Sequence, residues 1–216
     1  MTPHTKWKQG FFAQVEPIAM LDPLAVALGA VAEGEHIHYT YTDCVKVAGH
    51  ACASVSSAYM MTKLALKELY GAQTPVRGEI AVRLAGARDE GAIGPIGQVI
   101  QFLTGAATET GFKGLGGRYV RANKFKYDEK LKDEVPGPLV AEYTRLDNGA
   151  KVVVIANPSV LPMTEAEMEG AQMMPKAVTG QATEEEREMF FSFWQGKNKK
   201  ILLGDYPGLF TVRKVG

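Results

Sequence analysis

The chain has 216 residues, and its 24 Lys and Arg against 24 Asp and Glu give a formal net charge of zero. That balance excludes a nucleic-acid binder working by bulk electrostatics, and 46% hydrophobic with 22% charged residues excludes extensive disorder. Two cysteines are too few for a disulfide framework or an all-cysteine metal cage within one chain.

No segment approaches the roughly 20 apolar residues needed to cross a bilayer. The longest candidate, 18–32, is broken by Asp22 and Pro23, and Gln14, Glu16 and Pro17 interrupt the apolar run a secretory leader would need. A cytoplasmic protein without membrane contact is the expectation.

In chain order, a first helix is predicted over 22–32 with Pro23 in its first turn, followed by a short extended run over 36–41. Thr42 or Asp43 is placed to cap a helical turn reaching Val47, which Gly49 interrupts. A longer helix is predicted over 53–70, its broad apolar face built from Val55, Ala58, Tyr59, Met61, Ala65, Leu66 and Leu69, with Gly71 as its stop. Alternation over 77–84 predicts a strand. A helix opening near Pro95 follows, with Ile96, Val99, Ile100 and Leu103 at i, i+3, i+4 and i+7 and Gly105 just past its end. Tyr119 to Tyr127 reads as extended.

Two further strands flank the hairpin signal Asp147-Asn148-Gly149, and Asn157-Pro158 ends the second. Thr164 with Glu167 and Thr183 with Glu186 are capping-box patterns, each starting a helix. A last strand is expected over 209–212. The expected fold is α+β: a mixed or antiparallel central sheet packed by the long helix, with a core over 1–157 and a mostly helical C-terminal extension over 158–216.

The soft ligand atoms crowd together. His36, His38, Cys44, His50 and Cys52 fall within 17 residues, whereas the rest of the chain holds only His4. His50-Ala51-Cys52 puts an imidazole and a thiol just before the long helix, whose free N–H groups and partial positive charge favour thiolate. Such a pair suits zinc or another borderline-soft metal, or a nucleophile with its base. Against this, cysteine is among the most buried residue types, so Cys44 on an apolar helical face reads first as core. His36 and His38 share one face of an extended run, which an exposed surface would equally explain.

A second region, 111–118, combines Gly111, Gly114, Gly116 and Gly117 with Lys113 and Arg118, and Arg121 follows. Its amides and cations could face an anionic cofactor, but it follows a helix and leads into a strand, the reverse of a dinucleotide fingerprint. A tight turn permitted by glycine is the favoured reading. Met60-Met61 and Met173-Met174 read as core packing.

The order of these features resembles the FmdE-like family of formylmethanofuran dehydrogenase components. Gly49-His50-Ala51-Cys52 opens a long helix ending Leu66-Lys67-Glu68-Leu69-Tyr70; the strand Glu79-Ile80-Ala81-Val82, a helix ending Val99-Ile100-Gln101-Phe102-Leu103-Thr104-Gly105-Ala106 and the glycine loop follow. The resemblance covers about 40–127. It implies an α+β core, commonly a homodimer, with a metal pocket where His50 and Cys52 match the family's second histidine and its cysteine. The family's first histidine falls on Ala48, its proline on Ala53, an aspartate on Gln98 and a further cysteine on Ala106, and the C-terminal four-cysteine zinc finger of some members is missing.

The function expected from this is binding of a metal or cofactor and a small-molecule ligand at His50 and Cys52, with Cys44, His36 and His38 as weaker candidate ligands. Zinc leads among the metals, ahead of iron or haem. Two alternatives stand beside it: an enzyme using Cys52 as thiol with His50 as base, and a non-catalytic partner subunit whose pocket has degenerated.

Overall fold

A computed structural model describes residues 4–215. The chain opens with a 3-10 turn, Gly10–Gln14, that buries Phe11 and Phe12, and with β1 (Ile18–Met20). Helix α1 (Pro23–Ala27) is shorter than the expected 22–32: Asp22 caps it by accepting from the amides of Leu24 and Ala25, but none of its side chains is buried. With no apolar face packed, one turn is all that forms.

β2 (Ile37–Tyr39) pairs antiparallel with β1 in a separate two-stranded sheet. Helix α2 (Tyr41–Ala48) is capped by Thr40 rather than by Thr42 or Asp43, and Asp43 completes the capping box from the third helical position. Gly49, at φ +74°, ends α2, and α3 runs over Ala53–Tyr70 as the periodicity predicts.

The main sheet has five strands in the order β4-β3-β5-β6-β7: β3 (Ile80–Leu84), β4 (Phe125–Tyr127), β5 (Leu139–Arg145), β6 (Lys151–Ala156) and β7 (Phe210–Val215). Only the β3–β4 pair is parallel, joined by the crossover helix α4 (Ile93–Thr104). The β5–β6 hairpin turns at Asp147-Asn148-Gly149 with Gly149 at φ +74°, as its sequence requires. Of the extended stretch expected over 119–127, only the last three residues join a strand. Tyr119 and Asn123 have positive φ, a conformation that no strand accepts.

Helices α3 and α4 cover one face of this sheet. Ile80, Val82 and Leu84 of β3, Ala141 and Tyr143 of β5, and Val152, Val154 and Ala156 of β6 point into the core they share with Met61, Leu66, Val99 and Leu103. On the opposite face Val140, Val153 and Ile155 pack with Ala85 and Leu131, the latter from the short helix α5 (Leu131–Glu134). Arg83 on that face bridges Asp128, Glu134 and Glu142.

The C-terminal part holds α6 (Glu165–Gln172), α7 (Met174–Val178) and α8 (Glu184–Leu203). Both expected capping boxes form, at Thr164 with Glu167 and Thr183 with Glu186. The chain then returns as β7, whose six residues pair with β6 from Lys151↔Val215 to Ala156↔Phe210. Residues past 157 therefore complete the main sheet as well as packing helices on it. The architecture is α+β with a mixed central sheet.

Candidate functional site

The turn between α2 and α3 is built by two local constraints. Gly49 supplies the left-handed backbone that reverses the chain. Cys52 then takes an extended conformation as the N-terminal cap of α3, its carbonyl accepting from the Ser56 amide at 2.9 Å, while its side chain makes no capping bond. The sulfur is thus left uncommitted at the positive end of an 18-residue helix.

His50 is exposed, and its Nδ1 lies 2.9 Å from the Ala48 carbonyl oxygen. A carbonyl only accepts, so Nδ1 is the donor of this bond, and in the neutral ring Nε2 is the nitrogen left to bind an ion. Ala51, between the two ligand candidates, is held from above: the Trp194 indole of α8 donates to its carbonyl at 2.8 Å.

Beneath the turn lies a buried polar chain. Ser56, one helical turn after Cys52, shares a hydrogen bond of 2.9 Å with the Tyr41 hydroxyl and donates to Asn198 Oδ1 at 3.2 Å. Asn198 in turn donates to Gln195 at 3.0 Å. Burial pushes the Tyr41 hydroxyl well above the usual phenol range, opposed by the Ser56 hydrogen bond, and both thiols add to the rise. Ser57 Oγ is buried without a hydrogen-bond partner. The α3 N-terminus therefore meets polar groups from α2 and α8 inside an otherwise apolar setting, since Ala51, Cys52 and Val55 belong to the main core.

The other candidate ligands are not gathered here. Cys44 is fully buried on α2, and burial, with the Asp43 charge behind it, pushes its thiol up to about 12. It remains a protonated core side chain at neutral pH. His36 and His38 are exposed at β2, their rings 6.5 Å apart, and His36 Nε2 is 3.5 Å from Thr74 Oγ1. Thr74 follows the C-terminal end of α3 at Tyr70, whereas His50 and Cys52 stand before its N-terminus. A helix of 18 residues is about 27 Å long, which separates His36 from the turn. Among the described residues no group of three or more His, Cys, Asp or Glu side chains is arranged to hold a metal ion.

The glycine loop folds as a tight hairpin. Leu115 and Arg118 exchange backbone hydrogen bonds of 2.9 Å across Gly116 and Gly117, both at positive φ. Gly111 packs where a side chain would strike Ala107 and Ala122, and Gly114 has φ +95° beside the Arg118 carbonyl. Lys113 donates to the Glu109 carbonyl, and Arg118 stacks on the adjacent Tyr119 ring at 5.1 Å. The cations are thus used within the loop.

No motif marks Tyr41, Ser56, Trp194 and Asn198. An i, i+4 spacing relates Ser56 to the cap residue Cys52 and puts Trp194 with Asn198 on one face of α8, while nothing local signals Tyr41. A further buried cluster likewise lacks a sequence signature. Asp22 Oδ1 accepts from Arg121 at 2.6 Å and Oδ2 from Arg77 at 3.0 Å, with both Asp22 and Arg121 almost wholly enclosed. Burial works against the Asp22 charge, yet the Arg77 hydrogen bond, the Arg121 charge and the Ala25 amide hold its carboxyl below the ordinary value. Burial pushes Arg121 down, opposed by Asp22.

No protein-family model matches the chain, and no curated protein matches it. Among the described residues no helix is long and apolar enough to cross a membrane.

Proposed function

We propose that the chain is a metal- or cofactor-binding protein that uses His50 and Cys52 as ligands at the start of α3. The observation that carries this reading is the His50 Nδ1 bond to the Ala48 carbonyl. Metal-ligating histidines commonly donate their second ring N–H to such an acceptor, which orients the ring and aims the other nitrogen at the ion. Cys52 supports it with a side chain that caps nothing, two residues away. The resemblance to the FmdE-like family points to the same two residues.

The donor set fits a borderline-soft ion, with zinc first and iron or haem iron next. It fits an open site better than a closed one, because structural zinc takes four protein donors and the turn supplies two. The remaining positions fall to a small-molecule ligand, water or a second copy of the chain in a homodimer. When bound, the metal would act as a Lewis acid towards such a ligand. The chain's own part is to fix the imidazole through Ala48, to keep the sulfur at the helix end and to clamp the turn through Trp194.

Metal analysis of protein purified without added metal tests this, read together with the absorbance spectrum for haem or other organic groups. The wild-type chain is expected to carry metal or chromophore, and the His50→Ala/Cys52→Ala double variant to lose at least nine-tenths of it. Equal, negligible loading in both proteins would overturn the reading.

A further inference from the structure

We propose that His36 and His38 form a second metal site, independent of the His50–Cys52 turn: a surface clamp of two imidazoles for a borderline divalent cation such as Zn2+ or Cu2+. Strand alternation is its origin. Ile37 and Tyr39 pack against the main core, so His36 and His38 project together from the other face, and both are exposed. Their ring centres are 6.5 Å apart with planes inclined at 66°.

The backbone beneath them is fixed. Tyr59 donates to the Tyr39 carbonyl at 3.3 Å, Arg77 stacks on the Tyr39 ring at 5.2 Å, and β2 is paired with β1 through Ile18↔Tyr39 and Ala19↔His38. The residue opposite His38 is therefore an alanine, whose methyl leaves the space above the strand open.

The imidazoles are also free to act. Apart from Thr74 Oγ1, 3.5 Å from His36 Nε2, neither ring has a protein hydrogen-bond partner among the described residues. Two imidazoles on one tetrahedral ion, with metal–nitrogen bonds of about 2.0–2.1 Å, bring their ring centres to about 5 Å. Closing from 6.5 Å to that distance takes only side-chain rotation, which exposed histidines make without disturbing the core. Glu33 and Glu35 stand beside the pair in the chain, exposed and without an ion-pair partner among the described residues, and add negative charge for a cation. Imidazole donors select Zn2+, Cu2+ and Ni2+ over Mg2+ and Ca2+, and the open positions take water.

The test is calorimetric titration with Zn2+ in the His50→Ala/Cys52→Ala background, where the proposed first site is gone. One Zn2+ per chain is expected to bind, and adding His38→Ala or His36→Ala is expected to weaken binding at least tenfold, whereas His4→Ala leaves it unchanged. Binding within twofold of the background after His38→Ala would overturn the proposal, as would the absence of any binding heat in a folded background protein. Should the double variant not fold, wild-type and His38→Ala chains are compared directly: loss of one bound Zn2+ per chain in the variant supports the clamp, and an unchanged isotherm overturns it. Failure of the His50–Cys52 reading leaves these outcomes untouched.

Discussion

Gly78 and Gly49 both hold left-handed backbone, at φ +84° and +74°, but their surroundings differ. A methyl group on Gly49 would meet nothing within 4 Å, whereas one on Gly78 would overlap the Arg121 guanidinium. That guanidinium cannot swing aside, because it is enclosed and bound to Asp22 at 2.6 Å. Gly49→Ala should therefore cost about 1 kcal/mol, the strain of the left-handed conformation. Gly78→Ala should cost about 3 kcal/mol or more, since it also disrupts a buried ion pair. Urea denaturation of the two variants checks the order; equal midpoints would contradict it.

Asp22 carries the pH dependence of the same cluster. Its carboxyl sits below the ordinary value, so its stabilisation is complete above the unfolded-state pKa of about 3.9 and is lost as pH falls through the lower folded-state value. Asp22→Asn should cost about 3–5 kcal/mol at pH 7, because Arg121 is left buried without its counter-charge. The gap between wild type and variant should narrow as the pH drops below about 4. A gap that stays constant from pH 7 to pH 3 would show that Asp22 is not the titrating group.

At the scale of elements, α8 is the support of the candidate turn. It buries Phe190, Asn198, Ile201 and Leu202, and it touches the turn through Trp194. Asn198→Ala removes the acceptor of the Ser56 hydroxyl and should cost about 1–3 kcal/mol. Trp194→Phe keeps the aromatic packing against Phe190, whose ring centre is 5.4 Å away, and deletes only the bond to Ala51. It should weaken metal binding severalfold with little change in urea midpoint, because it loosens the ligand-bearing segment and leaves the core intact. An unaltered affinity would exclude α8 from the site.

Elements whose sequence carries both a period and a boundary were legible. Helix α3 combines a packed apolar face with Gly71, and the β5–β6 hairpin and both C-terminal capping boxes rest on side chains that make local bonds. Elements decided by distant contacts were not. α1 has a cap and a proline but buries nothing, so it stops after five residues. β4 is only three residues long, because positive φ at Tyr119 and Asn123 breaks the extended run, and at Tyr119 the residue type gives no warning of it. The candidate turn was legible through its His-x-Cys spacing. Its support was not, since Ser56 and Asn198 are 142 positions apart in the chain.

For the whole molecule, the decisive feature is that the last strand completes the main sheet. β7 pairs along all of β6, and Phe210 and Val212 pack on the main core. A chain cut after residue 157 would lose β7 and α8 together. The β6 edge would be left unpaired, and the Ser56–Tyr41 pair would lack its partner from α8. Such a fragment should fail to unfold cooperatively in urea or on heating. A fragment with a sharp two-state transition would show that the C-terminal part is dispensable for folding.

The same scale frames the site. A neutral chain with two buried cysteines, Cys44 fully enclosed on α2 and Cys52 9% exposed at the start of α3, has only the second beside a histidine at its candidate turn. X-ray absorption on the metal-loaded protein reads that ligand set most directly. One sulfur scatterer at about 2.3 Å together with nitrogen scatterers is the expected coordination, with the sulfur lost in Cys52→Ala and a nitrogen lost in His50→Ala. Oxygen and nitrogen scatterers alone, unchanged by either substitution, would contradict it.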